Sequence, residues 1–280
     1  MLNWRNLITR GVAGVVYVLI LLFGILYNKY AFIAVFGFTL VLALNEFYRL
    51  IEDKTPHLIS KLFNIISGTI IFISAYLFLE EKTMLALPLA ALIYLLALLV
   101  SAILINRSDI FNTIIYSAFG QLYITLPFCL LLLISYEYEM ADPAYFYAFI
   151  LAIFVFIWVN DTFAYLTGVT MGKHKLLERI SPKKTVEGFI GGIFFTMLAG
   201  VGFSFIFTEY TIFFWIGFAF IASIFGTLGD LFESLIKRTY KVKDSGQLIP
   251  GHGGILDRIG SLLFVIPAIY VYLLIANHFI

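Results

Sequence analysis

Three aspartates stand at the ends of long apolar runs, where a carboxylate is costly unless it is paired or bound to a cation. Asp161 follows the run that ends at Asn160, Asp230 follows TIFFWIGFAFIASIFGTLG, and Asp257 precedes the last apolar run. Mg²⁺ takes oxygen ligands and commonly binds through one or two carboxylates together with the phosphates of a substrate. The arrangement therefore predicts a magnesium site among these aspartates.

Basic residues gather in the same two polar segments, residues 161–188 and 230–260. In SPKKTVEG, Lys183 and Lys184 are adjacent and follow Ser181. Paired lysines suit the phosphates of a nucleotide or of an anionic lipid. The positive charge that accumulates on the cytoplasmic side of membrane proteins also produces such pairs, so both interpretations stay open.

A glycine-rich stretch, GHGG at residues 251–254, lies in the second segment. Glycine lets a ligand approach the main chain closely, and successive backbone N–H groups can bind an anion. An ordinary turn uses the same residues, and His252 fits a phosphate donor, an acid or base, or a plain loop residue. Carboxylates, lysines and this stretch together favour phosphoryl chemistry, in which positioning and charge neutralisation supply most of the catalysis.

The composition shows what kind of protein must position these groups. Of the 280 residues, 62% are hydrophobic and 12% are charged, which is about half the charged share of a soluble domain. This is the composition of a membrane-embedded chain. The net charge of +1 argues against a nucleic-acid binder, which needs a basic surface.

The apolar runs predict an all-α polytopic membrane protein with about nine transmembrane helices, because a helix needs roughly 20 apolar residues to cross a bilayer. About five spans fall in an N-terminal part, residues 1–135, and about four in a C-terminal part, residues 136–280. The C-terminal part carries the predicted catalytic loops 161–188 and 230–260. The predicted spans are residues 11–28, 30–46, 62–79, 83–105, 111–134, 144–160, 189–208, 211–229 and 261–278.

Lysine and arginine predict the orientation, because they accumulate in cytoplasmic loops. If the N-terminus lies in the cytoplasm, only Lys29 and Lys82 of the 18 basic residues lie on the opposite side. Both polar segments then face the cytoplasm, and the C-terminus lies outside. We expect an integral, multi-pass protein of a bacterial inner membrane.

The eighth predicted span decides how Asp230 is presented. If its helix continues past the apolar part, Asp230, Ser234 and Lys237 follow at i, i+4 and i+7 and share one face. That face would carry an acid, a hydroxyl and a base near the membrane surface. A helix end whose polar side chains simply reach water gives the same pattern.

The second polar segment resembles a known signature. Residues 234–259, SLIKRTYKVKDSGQLIPGHGGILDRI, are similar to the signature of the phosphatidate cytidylyltransferases, also called CDP-diacylglycerol synthases. GDLFES and SPKKTVEG also resemble stretches of that family, and the many-span architecture agrees over the whole chain. The matching positions of the signature are Ser234, Lys237, Arg238, Lys243, Asp244, Gly246, Pro250, His252, Gly253, Gly254, Asp257 and Arg258.

The resemblance implies an enzyme of phospholipid biosynthesis that makes CDP-diacylglycerol and pyrophosphate from CTP and phosphatidate, with Mg²⁺ as cofactor. It implies Asp230 and Asp257 as magnesium ligands and as catalytic residues together with Lys237 and Arg258, with Asp161 as a further candidate ligand. A second, monovalent cation and a homodimer are left open. The residues expected to hold the nucleotide and the lipid phosphate are Ser181, Lys183, Lys184, Ser234, Arg238, Lys243, Asp244, His252, Gly253 and Gly254.

One position departs from the family pattern, which ends Asp-Arg-hydrophobic-Asp, whereas this chain has Gly260 in the last place. Two alternatives therefore stand beside the active enzyme. One is a catalytically impaired member of the family, in which case we expect Gly260→Asp to raise the activity. The other is a non-enzymatic membrane protein that binds or transports lipid, although a transporter places its polar groups at mid-membrane rather than at span ends.

Overall fold

The computed structural model describes residues 4–52, 60–80, 82–104, 110–141, 146–248 and 253–279. A π-helical turn, Gln121–Thr125, joins α5 to α6, and two short strands, β1 (Lys175–Leu177) and β2 (Ser181–Thr185), lie between α7 and α8. The helices are α1 (Trp4–Leu26), α2 (Lys29–Glu52), α3 (Lys61–Leu79), α4 (Ala86–Leu104), α5 (Ile110–Gly120), α6 (Leu126–Ala141), α7 (Phe146–Met171), α8 (Val186–Ile206), α9 (Ile212–Thr239) and α10 (Leu256–Phe279).

The helical segments confirm the prediction of an all-α, multi-pass membrane protein. In the described part of the chain, eight segments are long and apolar enough to cross a membrane, and Gly11–Leu26 within α1 is a shorter apolar helix at the place of the first predicted span. The eight segments are Lys29–Glu52, Lys61–Leu79, Ala86–Leu104, Ile110–Tyr136, Tyr147–Met171, Val186–Ile206, Ile212–Thr239 and Leu256–Ala276.

Two helices continue past the apolar runs that predicted them. α7 reaches Met171, so that Asp161 lies on a helix rather than in a loop, and α9 reaches Thr239. The prediction that Asp230, Ser234 and Lys237 follow one another along one continuous helix is therefore confirmed. A helix can outlast its apolar run because its backbone hydrogen bonds are internal and do not depend on side-chain polarity.

A small antiparallel hairpin follows α7, where the sequence predicted only a loop. β1 pairs with β2 so that Lys175 stands opposite Thr185 and Leu177 opposite Ser181. Thr185 ends the hairpin and begins α8, because its hydroxyl accepts a hydrogen bond from the N–H of Gly188 (3.1 Å). This N-cap satisfies one of the donors that every helix start leaves without an internal partner.

The chain divides into two compact units, each described here by itself. The first comprises residues 1–136 and 242–258, and the second comprises residues 137–241 and 259–280. In the second unit, the fully buried Trp215 packs against Phe149, Phe203 and Phe218. Since lipid tails are as apolar as these side chains, close packing rather than escape from water holds such helices together.

A buried polar network fixes α2 in the first unit. The side-chain amide of Gln121, in the π-helical turn, donates to the carbonyl of Asn64 (2.8 Å) and to the hydroxyl of Tyr48 (3.1 Å). Tyr48 in turn donates to the carbonyl of Ser117 (2.7 Å). Hydrogen bonds between membrane helices contribute roughly 0.6–2 kcal/mol each. The network therefore sets the position of the helix that also carries Glu46.

Candidate active site

A cavity of about 500 Å³ opens in the second unit between the end of α7, the hairpin, the start of α8 and the polar part of α9. It brings together four of the predicted site residues, Asp161, Lys183, Lys184 and Asp230, on three different elements. The full lining is Asn160, Asp161, Ala164, Tyr165, Gly168, Val169, Lys175, Leu176, Lys183, Lys184, Thr185, Gly188, Phe189, Thr227 and Asp230.

Opposite charges face each other across this cavity. The ammonium group of Lys184, on β2, forms an ion pair with the Oδ2 atom of Asp230, on α9. Lys175 and Lys183 line the same cavity from the hairpin, and Asp161 lines it from α7. A polyphosphate with a bound divalent cation presents both signs of charge, so a wall that mixes lysines and carboxylates suits it better than a purely basic wall.

A buried amide forms part of the cavity lining. Asn160 is 1% exposed, accepts a short hydrogen bond from the hydroxyl of Ser223 and donates to the hydroxyl of Thr227 (3.3 Å). A Cβ atom at Gly192 would stand only 2.6 Å from the Oδ1 atom of Asn160, so a glycine is needed where α8 crosses α7. These contacts hold α7 and α9 in register and thereby set the separation of Asp161 and Asp230.

Glu187 anchors the hairpin to the start of α8. Its carboxylate accepts hydrogen bonds from the main-chain N–H groups of Lys173 (3.1 Å) and His174 (3.2 Å), and its Oε1 atom lies 2.6 Å from Nδ1 of His174. The side chain of Arg238, on α9, donates to the carbonyl of Ile180 at the hairpin turn (3.5 Å). The hairpin lysines are therefore presented by an element that is tied down at both ends.

The remaining predicted residues of the second unit lie on α9 and β2. Lys237 forms an ion pair with Glu233 one turn earlier (2.8 Å), and Glu233 is 2% exposed. The residues that line the cavity in the described part of the chain do not include Ser181, Ser234, Lys237 and Arg238. The structure therefore does not place these four residues in contact with a ligand bound in this cavity.

Gly260 lies against the same Glu233. A Cβ atom at position 260 would stand 2.9 Å from both the Cβ and the Cγ atoms of Glu233, and the carbonyl of Gly260 closes on Gly229 of α9. Since these are carbon atoms near the helix backbone, they cannot swing away as the tip of a side chain could. A side chain at position 260 therefore requires these atoms of Glu233 to shift, and the expectation that Gly260→Asp raises the activity stays a prediction.

The signature segment, defined as residues 242–258, belongs to the first unit. The Oδ2 atom of Asp257 accepts hydrogen bonds from the N–H of Ser245 (2.9 Å), the hydroxyl of Ser245 (3.0 Å) and the N–H of Gly254 (2.8 Å). Gly253 has a φ of 83°, a conformation that favours glycine. Asp257 thus closes the segment on itself at the start of α10, while His252 lies outside the described residues.

The described part of the signature segment borders a second cavity, of about 710 Å³, together with the last turns of α2. Lys243 and Asp244 line it, as does Arg49. Arg258, the last residue of the segment, is exposed on the first turn of α10. The first unit therefore carries the cations Arg49, Lys243 and Arg258.

Glu46 is the site residue that sequence reasoning missed. It lies on α2 and accepts the main-chain N–H groups of Ile255 and Leu256, both at 2.9 Å, and the hydroxyl of Ser245 at 3.1 Å. The available signal was an acid at the end of an apolar run, in LALNEFYRL, of the same kind that drew attention to Asp161. Glu46 and its partners are about 200 positions apart, and no periodic pattern in the sequence indicates a contact over that distance.

The donor set of the second unit fits Mg²⁺. Asp161, Asp230 and the hydroxyl of Thr227 line one cavity and offer the oxygen atoms that this ion prefers. No group of three or more His, Cys, Asp or Glu residues that could hold a metal occurs in the described ranges. Two carboxylates completed by substrate phosphates are nonetheless a usual magnesium arrangement.

Comparison with known proteins gives one family and a set of bacterial relatives. The family model described as "Cytidylyltransferase family" matches residues 8–276. A Staphylococcus aureus (strain COL) protein named phosphatidate cytidylyltransferase is 49% identical over 128 residues, which cover 45% of this chain and 49% of that protein. A protein of the same name from Staphylococcus haemolyticus is 45% identical over 156 residues, covering 52% and 58%. The chain spans about half the length of the curated relatives it matches.

Proposed function

Because the chain belongs to the cytidylyltransferase family, we propose that it transfers the cytidylyl group of CTP to phosphatidate, forming CDP-diacylglycerol and releasing pyrophosphate. The observation that carries the proposal is the cavity of the second unit, in which Lys175, Lys183 and Lys184 face Asp161 and Asp230. The two aspartates lie where α7 and α9 continue past their apolar runs, and the lysines lie on the hairpin between α7 and α8. A lipid phosphate and a water-soluble nucleotide can both reach such a place.

The reaction needs little covalent chemistry from the protein. The second pKa of a phosphate monoester is about 6, so the phosphate of phosphatidate is largely dianionic at pH 7 and is itself the nucleophile. One of its oxygens bonds to the α-phosphorus of CTP, while the bond from that phosphorus to the oxygen of the β-phosphate breaks and pyrophosphate leaves. What remains for the protein is to bring two anions together in the right orientation.

The cavity residues supply that positioning. Lys183 and Lys184 are proposed to hold phosphate oxygens, and the ion pair to Asp230 fixes the direction of Lys184 before substrate arrives. Asp230 and Asp161 are proposed to hold Mg²⁺ in this cavity, and the role of Asp257, in the first unit, as a magnesium ligand stays a prediction. When bound, this ion neutralises the triphosphate and stabilises the leaving pyrophosphate.

The test is the release of pyrophosphate by the purified protein in detergent or in liposomes. We expect release only when CTP, phosphatidate and Mg²⁺ are all present. Diacylglycerol in place of phosphatidate removes the nucleophile, and ATP in place of CTP tests the base, so both should give background rates. Release that is independent of the lipid would contradict the transfer.

The catalytically impaired alternative has a distinct outcome in the same assay. Glu233 packs against Gly260, so an aspartate at position 260 would have to displace the Glu233 side chain. If the folded protein binds CTP in equilibrium dialysis but releases no pyrophosphate under any magnesium concentration, the impaired alternative replaces the enzyme. If it binds phosphatidate but not CTP, the non-enzymatic alternative, a protein that binds or transports lipid, replaces the enzyme.

We further propose that both polar segments face the cytoplasm of a bacterial cell. CTP is a cytosolic compound, and the basic residues of the chain favour this orientation. Cysteines introduced at Lys175 and at Ser245, one in each unit, should not react with a membrane-impermeant reagent added outside intact cells. Labelling at either position would contradict the orientation.

A further inference from the structure

Glu46 is a carboxylate of the first unit whose contacts all lead to the signature segment. Its Oε1 atom accepts the N–H of Ile255, and its Oε2 atom accepts the N–H of Leu256 and the hydroxyl of Ser245. Its side chain is buried, with the residue 7% exposed. The acid on α2 is thus bound to residues that follow it by about 200 positions.

The physical chemistry of this contact makes it a strong constraint. A buried carboxylate is very unfavourable without hydrogen bonds, whereas charge-assisted bonds to main-chain N–H groups are shorter and stronger than neutral ones. The N–H groups of Ile255 and Leu256 lie at the start of α10, where a helix carries partial positive charge. Glu46 therefore favours one arrangement of the signature segment and penalises others.

Two glycines of the signature segment make room for the carboxylate. A Cβ atom at Gly246 would stand 2.6 Å from Oε1 of Glu46, and a Cβ atom at Gly254 would meet Oε2 even more closely. No other residue type permits the main chain to close on the carboxylate at these places. The two glycines and Glu46 therefore form one contact, although 200 or more residues separate them along the chain.

Ser245 connects Glu46 to Asp257, the predicted magnesium ligand. The hydroxyl of Ser245 lies 3.1 Å from Oε2 of Glu46 and 3.0 Å from Oδ2 of Asp257, so it stands between two carboxylates. Gly254 also contributes its N–H to Asp257 (2.8 Å) while its α-carbon faces Glu46. Whatever fixes Glu46 therefore also fixes the direction of Asp257.

We propose that Glu46 is a positioning residue, which holds the signature segment in the shape that binds the nucleotide. The inference rests on the proposed function for its substrate, and within it we assign the backbone at Gly253 and Gly254 to CTP rather than to the lipid. It predicts that loss of Glu46 weakens the use of CTP while leaving the use of phosphatidate nearly intact.

The first measurement needs no substrate. Hydrogen–deuterium exchange of the full-length protein in detergent reports on the main-chain N–H groups of residues 254–256. In Glu46→Gln, whose amide nitrogen cannot accept a hydrogen bond, we expect these groups to exchange at least tenfold faster. Glu52→Gln changes an exposed acid six positions later on the same helix and should leave the exchange as in the unaltered protein.

A second variant keeps the acid and disturbs only its fit. Gly254→Ala places a methyl group against the Glu46 carboxylate and should accelerate the exchange of the same groups. If Glu46→Gln fails to fold, shown by faster exchange throughout α7 and α8, Gly254→Ala decides the question. Unchanged exchange of residues 255 and 256 in Gly254→Ala, or in a folded Glu46→Gln, would overturn the proposal.

The kinetic measurement separates positioning from a general loss of structure. We expect Glu46→Gln to raise KM for CTP at least tenfold, with KM for phosphatidate within about twofold. Equal losses for both substrates, or a fall in kcat alone, would overturn the assignment to the nucleotide. If the unaltered protein releases no pyrophosphate at all, the proposed function fails, while the exchange experiment still decides whether Glu46 holds the segment.

Discussion

The acids at the signature segment and the acids on α9 serve different purposes. In the first unit, Glu46 and Asp257 accept main-chain N–H groups and a serine hydroxyl, and none of their hydrogen bonds described above comes from a lysine or an arginine. In the second unit, Asp230 and Glu233 pair with Lys184 and Lys237. The same functional group thus shapes the backbone at the signature segment and balances charge on α9.

The difference predicts how each site responds to change. A carboxylate that accepts main-chain N–H groups must have its oxygen atoms at the distance and angle that these hydrogen bonds require. A carboxylate paired with lysine acts mainly through its charge, and a nearby charge of another kind can replace part of that interaction. Substitution of Asp257 should therefore resist chemical rescue, whereas substitution of Asp230 should respond to added cation.

The largest effect is expected for Asp257→Asn. A neutral amide oxygen accepts three donors more weakly than a carboxylate, and the substitution also removes a proposed magnesium ligand. We expect the rate of pyrophosphate release to fall at least a hundredfold, with little recovery when Mg²⁺ is raised tenfold. Glu52→Gln, at an exposed acid of the same unit that has no predicted role in the site, is the control. Full recovery with Mg²⁺ would mean that Asp257 acts through its charge alone.

Asp230→Asn should have the next largest effect. The change releases Lys184 from its ion pair and removes a carboxylate from the cavity. We expect the rate to fall by about a hundredfold and to recover partly when Mg²⁺ is raised, because cation binding is weakened rather than the backbone displaced. A rate near that of the unaltered protein at saturating Mg²⁺ would rule out Asp230 as a ligand.

A smaller effect, on stability, is expected at Gly260. Both Gly260→Ala and Gly260→Asp place a Cβ atom 2.9 Å from carbon atoms of Glu233. Overpacking of this kind costs about 1–3 kcal/mol, so the thermal unfolding midpoint in detergent should fall for both variants. Gly202→Ala is the control, since a Cβ atom there meets nothing within 4 Å. Higher activity of Gly260→Asp at an unchanged midpoint would show that the two helices can separate to admit a carboxylate.

The smallest effect concerns a lysine-paired acid of the first unit that lies outside the signature segment. Lys29 donates to Glu80 (2.8 Å), and this hydrogen bond holds the pKa of the Glu80 carboxyl below its usual value. A lowered pKa means that the ionised pair stabilises the protein above the usual carboxyl pKa and that this contribution is lost as the pH falls through the lowered pKa. Because water screens the pair, Glu80→Gln should cost only about 0.5 kcal/mol at pH 7.

The pH dependence of that variant is the measurement. The difference in unfolding midpoint between Glu80→Gln and the unaltered protein should be full at pH 7 and should shrink as the pH falls below 4.5, the ordinary carboxyl pKa. A difference that persists at lower pH would indicate packing rather than charge. If Glu80→Gln lowers the unfolding midpoint as much as the Gly260 variants do, an exposed ion pair stabilises the protein as much as close packing between buried helices.

Hydropathy predicted the spans well because an apolar run of sufficient length has few other uses. The face formed by Asp230, Ser234 and Lys237 was also predictable, because helical periodicity continues through a change of polarity. The extension of α7 beyond Asn160 was not, since Asp161 looked like the end of a span. The hairpin was missed because strands of three and five residues carry no readable alternation.

The candidate site was predictable where the chemistry lies close in sequence. The lysines of β2 and the acid on α9 were identified by residue type, and the structure places them around one cavity. Glu46 and the contact of Glu233 with Gly260 were not predictable, because both depend on which helices approach each other. Which helices approach each other closely is decided by packing. In a single sequence the only sign of such an approach is a glycine, which does not identify the partner helix.

The contact between Glu46 and α10 has a consequence for how the protein is made. Leu256 follows Glu46 by 210 residues. At roughly 5–20 residues per second, a ribosome needs on the order of 10–40 s to add them. During that interval α2 has entered the membrane, while its acid has not yet met the N–H groups that will bind it. The Glu46 carboxylate must therefore be hydrogen-bonded to water or to other groups until then, and the contact with α10 forms late in biosynthesis.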